Sequence, residues 1–271
     1  MKSKPHKAYK NMEFLNSADA RLIRILSEYL EPQRRFRQKK IKDTIVFFGS
    51  SRTIPNNRAK KKYEAAKKAY EINRDPENEL LLKFCTKQFE MSRYYEDARQ
   101  LAKLLTEWSI TLKNHERRFI ICSGGGPGIM EAANRGASEV EGGHSIGLNI
   151  SIPAEQGSNS YITDELNFEF HYFFMRKFWF IYLAKALVIF PGGFGTMDEL
   201  WEVLTLTQTK KVKKRMPIVI YGTEYWQKIL NFEAMVENLV IDEEDLNLIH
   251  FSNNVDDAFE HLKSELLKNY L

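Results

Sequence analysis

Pro191-Gly192-Gly193-Phe194-Gly195-Thr196-Met197-Asp198-Glu199 follows the apolar run Ala186-Leu187-Val188-Ile189-Phe190 and precedes a helical pattern. The stretch reads as a strand, a tight glycine turn and the first turn of a helix. Gly192, Gly193 and Gly195 let backbone approach a ligand closely, Thr196 offers a hydroxyl, and the unpaired N–H groups of the new helix point at whatever sits there. Such a turn is a cradle for phosphate. Asp198 and Glu199 put carboxylates within one helical turn of the bound anion, which a plain phosphate site does not need.

The same grammar occurs upstream, where Phe119-Ile120-Ile121-Cys122 runs into Ser123, Gly124, Gly125, Gly126, Pro127 and Gly128 and then into Ile129-Met130-Glu131-Ala132. One glycine loop can be turn geometry alone, but two in one chain favour a ligand. Neither loop continues into Gly-Lys-Ser/Thr, and the dinucleotide pattern is only loosely approached, so a mononucleotide or sugar phosphate is the expected ligand. A third strand, Thr44–Phe48, ends in Gly49, Ser50, Ser51 and Arg52, small polar residues and a cation that also suit phosphate.

Further strands are read at 144–150 and at 217–220, and strands alternate with helical patterns throughout. That predicts an α/β protein with a Rossmann-like, doubly wound parallel sheet, whose ligands bind at the carboxyl ends of the strands. Leu22, Ile23, Ile25, Leu26 and Leu30 recur at helical spacing, predicting an amphipathic helix ahead of the first strand, packed outside the core. Residues 56–90 read as a helical insertion, a hairpin broken at Asn73-Arg74-Asp75-Pro76. Phe168 to Tyr182, FEFHYFFMRKFWFIY, reads as a helix buried in the core or at a subunit contact. Its adjacent cations Arg176 and Lys177 are costly in apolar surroundings unless something anionic, phosphate or Glu199, meets them.

The 271 residues, 43% hydrophobic, suffice for one domain over 1–271, with 1–42 a basic helical extension. Of the net charge of +4, residues 1–42 contribute twelve Lys/Arg against four Asp/Glu, or +8. This local excess reads as a solvated helix end or subunit contact, and no recognised nucleic-acid module accompanies it. Two distant cysteines, Cys85 and Cys122, suit a reducing compartment, with Cys122 a small core residue. No apolar run reaches membrane-spanning length and the basic N-terminus lacks the apolar core of a signal peptide, so the expected location is cytoplasmic, with no membrane partner. The six histidines show no ligand spacing, and neither a metal nor a redox cofactor is implied.

PGGFGTMDE fits PGGxGTxxE, and together with Arg176-Lys177, the GGGPGIM loop and the FFGSSR strand end it resembles the LOG-like phosphoribohydrolases, often mislabelled lysine decarboxylases. The resemblance covers about Thr44 to Tyr221, and the SGGGPGIMEAANRGA version is similar to the bacterial branch. It implies hydrolysis of the N-glycosidic bond of a nucleoside 5′-monophosphate, AMP-like or a cytokinin riboside monophosphate, to free base and ribose 5-phosphate. Glu199 would stabilise the oxocarbenium-like state and orient or deprotonate water. Arg176 would fix Glu199 or the phosphate, with Lys177 nearby, and the two glycine loops would hold the phosphate without metal. Thr205 matches a family contact position. Glu155, in the 152–156 loop, either bonds base or ribose or is an ordinary polar loop residue, and Glu131 either reaches the site or favours its helix N-terminus.

A reading from another class keeps the cradle without turnover, as a nucleotide or molybdenum-cofactor carrier. Retention of Arg176 and Glu199 favours the enzyme. A lysine decarboxylase is disfavoured, since no lysine stands out for a pyridoxal Schiff base with a partner for the ring nitrogen. The aromatic helix predicts a homodimer or larger homo-oligomer.

Overall fold

In the computed structural model, which describes residues 7–112, 116–151 and 157–271, seven strands form one sheet in which every pairing is parallel. The strands are β1 (Thr44–Phe48), β2 (Ile120–Ser123), β3 (Ser145–Ile150), β4 (Asn167–Phe170), β5 (Ala184–Ile189), β6 (Ile218–Tyr221) and β7 (Ile249–Ser252). The helices are α1 (Met12–Asn16), α2 (Arg21–Gln38), α3 (Asn56–Ile72), α4 (Pro76–Met91), α5 (Arg93–Thr111), α6 (Ile129–Ser138), α7 (Phe173–Leu183), α8 (Phe194–Gln208), α9 (Thr223–Ile229), α10 (Phe232–Glu237) and α11 (Val255–Tyr270). None of them is long and apolar enough to cross a membrane, among the described residues.

The strand order is β4-β3-β2-β1-β5-β6-β7, so the chain builds outward from β1 in one direction and then returns to build outward from β5 in the other. The reversal falls between β1 and β5, and the loops that leave their carboxyl ends diverge there to open a crevice. The expected doubly wound sheet is therefore present. Its core is split by strand alternation: Val46 and Phe48 join the apolar cluster that holds Trp179, Phe180, Leu200 and Val203, while Ile45 and Phe47 join that of Tyr95, Leu101, Leu105 and Leu262. Successive side chains of a strand point to opposite faces, and helices cover both.

Residues 56–91 fold as a hairpin of α3 and α4. Asn73 closes α3 and Asp75 starts α4, its carboxylate accepting the Asn78 N–H at 2.7 Å ahead of Pro76 at the first helical position. The N-terminal helix α2 lies outside the sheet at its β4 edge: Phe36 packs on Phe168 and Trp179, and the Trp179 indole N–H donates to the Glu28 carbonyl at 2.9 Å.

The aromatic stretch departs from the expectation of one helix. Asn167–Phe170 is edge strand β4, with Phe168 and Phe170 buried and Glu169 exposed between them, and the helix begins at Phe173. Aromatic residues favour strand as readily as helix, and two-residue alternation decided the first part. Strand β7 also had no sequence reading; its four residues, which run from half-buried through exposed Phe251 to buried Ser252, carry too short a pattern.

Candidate active site

The loop after β5 runs under the crevice. Pro191 accepts the Ser50 N–H at 3.0 Å, tying it to the loop after β1, and the Tyr225 hydroxyl on α9 donates to the Gly192 carbonyl at 2.7 Å. Thr196 packs its side chain over Gly192, where a Cβ would collide with the hydroxyl. Gly193 and Gly195 face open space, and a Cβ built on either meets nothing within 4 Å. No side chain caps α8, so the N–H groups of its first turn are open to a ligand.

These elements surround a cavity of about 650 Å³. Gly49, Ser50, Ser51 and Arg52 form one wall, Gly192 to Glu199 the facing wall, and Gly124, Met130 and Arg176 the back. Met91 at the end of α4, Phe173 at the start of α7 and Tyr225 complete it. These three come from elements with no glycine motif, and only the topology brings them here. Arg52 was legible as a cation at a strand end.

Glu199 is the chemically unusual wall residue. It is 6% exposed, and its Oε2 has no hydrogen-bond partner in the structure. Burial pushes its carboxyl up to about 7, against the opposing pull of the Lys177 and Arg176 charges. Burial of Lys177 would discharge it, but carboxylates outweigh this: its ammonium lies 2.8 Å from Asp198, 3.0 Å from Glu202 and 4.0 Å from Glu199, and its pKa is raised. Lys177 thus binds the acidic face of α8 behind the cavity wall rather than facing a ligand.

Arg176 faces the cavity. Its Nε donates to the Leu148 carbonyl at 2.8 Å, its guanidinium lies over the Phe180 ring, and a Cβ on Gly124 would come within 2.6 Å of its Nη2. Asp198 lines the cavity while holding Lys177. The other glycines of the upstream loop are placed apart from the cavity lining. A Cβ at Gly125 would strike the Asn149 amide, one at Gly126 would approach Met130, and one at Gly128 would strike the Ser50 carbonyl. Thr205 is exposed and outside the lining, since six residues of helix leave it about 120° around the helix from Glu199. Glu131 accepts the Tyr95 hydroxyl at 2.6 Å and does not line the cavity. Cys122 is buried, and burial raises its thiol pKa, in keeping with a core residue. Glu155 lies outside the described residues.

Fold and site together define a Rossmann-like α/β protein with a phosphate-type cradle and a buried carboxylate at its switch point. A sequence profile of the family described as "Possible lysine decarboxylase" matches residues 130–262, which include α7 and the PGGFGTMDE turn, and supports the resemblance to the LOG-like family. This match supports a nucleotide-related function. No curated protein matches the sequence. Among solved structures, the molybdenum cofactor binding protein from the phototrophic bacterium Rippkaea orientalis is 17% identical with a TM-score of 0.44, covering 63% of this chain and 86% of its own. The Moco carrier protein from Chlamydomonas reinhardtii is 19% identical with a TM-score of 0.46, covering 84% of this chain and 99% of its own.

Proposed function

We propose that the protein hydrolyses the N-glycosidic bond of a nucleoside 5′-monophosphate, releasing free base and ribose 5-phosphate. The observation that carries this reading is Glu199, a buried carboxyl with an oxygen that lacks a hydrogen bond, titrating at about 7, on the wall of a cavity floored by a helix N-terminus. The 5′-phosphate sits on the α8 N–H groups beside Gly193 and Gly195, with Ser50, Ser51 and Arg52 opposite and Arg176 at the back. The base lies toward Met91 and Tyr225, whose apolar surfaces suit a planar ring.

As the C1′–N bond breaks, its electron pair leaves with the base, which takes a proton from solvent, and positive charge develops on C1′ and O4′. The Glu199 carboxylate faces that charge and accepts a proton from the water that attacks C1′. A group titrating near neutrality is matched to both tasks. Arg176 and Lys177 keep part of the Glu199 population ionised despite its burial.

On this reading residues 1–271 act as one nucleotide-binding unit, in the cytoplasm, as a homodimer or larger homo-oligomer. The unit carries the 1–42 extension and the 56–90 insertion. Leu22, Ile23, Leu26 and Leu30 on α2 and Phe173, Phe174 and Tyr182 on α7 leave apolar surface exposed, which supports burial against a second copy. Light scattering at the mass of a single chain would contradict this.

The test is incubation with AMP, N6-substituted AMP and other nucleoside 5′-monophosphates, followed by chromatography for free base. Release by the wild type and a loss of about a thousandfold in Glu199→Gln, with nucleotide Kd within about threefold, is the expected result. Tight binding of nucleotide with no release by the wild type overturns the hydrolase in favour of a carrier.

A further inference from the structure

We propose that a second, cationic cavity at the amino ends of β6 and β7 binds an organic polyphosphate of the nucleoside triphosphate class. The cavity encloses about 920 Å³, within the range of small-molecule sites. Ile218 and Ile249, the first residues of β6 and β7, line it, whereas the Glu199 cleft is built on loops that follow the last residues of β1 and β5. Because the sheet is wholly parallel, the two cavities lie at opposite ends of the strands.

The connection from α8 to β6 contains Lys210-Lys211-Val212-Lys213-Lys214-Arg215, five cations in six residues. Among the described residues none of the five has a carboxylate within 4.0 Å. The fold accounts for two of them. Lys211 follows the C-terminus of α8, where the helix dipole favours a cation, and does not line the cavity. Lys214 donates to the carbonyls of Ile181 and Tyr182 at the end of α7. Lys210, Lys213 and Arg215 are left exposed, without carboxylate partners, and around one cavity.

The wall opposite carries two imidazoles, one of which, His250, already meets the Asp257 carboxylate through Nε2 at 3.0 Å. His250 on β7 and His261 on α11 stack with ring centroids 3.8 Å apart, and both line the cavity. Glu265 is the lone carboxylate residue among the described lining, and it is engaged by Lys268 at 4.0 Å and the Asn269 amide at 3.2 Å. Val212, Met216, Leu246 and Leu248 supply apolar surface between the charged groups. Converging cations call for several phosphates in one place, and the apolar wall calls for an organic body attached to them. A polynucleotide would instead need cations spread along an open track.

The experiment is a titration of the whole protein with ATP, and separately with inorganic tripolyphosphate, followed through the imidazole NMR signals of His250 and His261. Single His→Asn variants assign those signals, and binding in the Glu199 cleft leaves them unmoved. ATP should shift both signals and bind more tightly than tripolyphosphate. The Lys213→Ala/Arg215→Ala double variant, both positions exposed, should keep its melting temperature and bind ATP about tenfold more weakly or worse. Signals that neither anion moves, or an unchanged ATP affinity in the double variant, overturn the site. Tripolyphosphate binding as tightly as ATP overturns the organic part of the ligand.

Discussion

The two glycine loops read alike as sequence and do different work in the structure. In the loop after β2, Gly125 and Gly128 have φ of +77° and +75°, a region that favours glycine, and the space where their side chains would be is filled by protein. Gly124, Gly125, Gly126 and Gly128 are all buried. In the loop after β5, Gly193 and Gly195 are exposed, lie outside the positive-φ region, and have nothing within 4 Å of a built Cβ. The first loop needs glycine in order to fold. The second has no folding reason for it at these two positions, and the proposed function supplies one, the approach of a ligand to backbone.

The carboxylates that follow the loops differ in the same sense. Glu131 in the first turn of α6 is satisfied by the Tyr95 hydroxyl, whereas Glu199 in α8 is buried with an oxygen left without a hydrogen bond. One carboxylate is hydrogen-bonded within the fold, and the other is the one to which the proposed function gives a task.

The largest effect expected from this contrast is on stability at Gly128. Alanine there forces a strained backbone and drives a methyl group into the Ser50 carbonyl, which also accepts the Ile129 N–H at 3.1 Å. Gly128→Ala should lose about 3 kcal/mol or more, or fail to accumulate as folded protein. Chemical denaturation measures it; a loss under about 1 kcal/mol would mean that the first loop is no more constrained than the second.

Much of this was legible from sequence, and the parts that were not share a cause. Strand–glycine–helix punctuation is local, so β1, β2, β3, β5 and β6 and the crevice beside Gly192 could be read along the chain. Whether a glycine is filled by a neighbour depends on Asn149, Arg176 or Ser50, residues 24 or more positions away in sequence from the glycines they fill or far across the fold, and no local pattern carries that. For the same reason Met91 and Tyr225 were not foreseen at the site. Arg176 and Lys177 looked equivalent as neighbours, but adjacent helical positions point about 100° apart, and only one of them faces the cavity. Thr205 failed on the same helical arithmetic.

The second effect sets the unsatisfied carboxyl against the satisfied one. With Glu199 titrating at about 7 in the fold and at the ordinary 4.5 when unfolded, the folded state between these values keeps a proton that the unfolded state has lost. Stability from this group is therefore full below about pH 4.5 and falls as pH rises through 7, by a ceiling of roughly 3 kcal/mol. Glu199→Gln removes the titration, so the variant should equal or trail the wild type at pH 5 and exceed it by about 1–3 kcal/mol at pH 8.5. Urea unfolding at the two pH values decides this, and parallel curves would mean that burial does not raise the carboxyl. Glu131→Gln, made at the carboxylate that accepts the Tyr95 hydroxyl at 2.6 Å, is the comparison variant.

The smallest effect, at Gly193, bears most directly on function because stability and binding should part company. Its φ of −93° and ψ of −151° suit any residue, and a methyl group placed there points into open space. Gly193→Ala should therefore change unfolding free energy by no more than about 0.5 kcal/mol, the range of a surface substitution. The same methyl group stands where a phosphate must lie to reach the N–H groups of α8, so nucleotide affinity should drop about tenfold, which corresponds to 1.4 kcal/mol. Calorimetric titration with AMP, set beside denaturation of the same variant, reads both quantities. Unchanged affinity would move the phosphate away from the loop after β5, while lost stability would show that this loop, like the first, keeps its glycines for the fold.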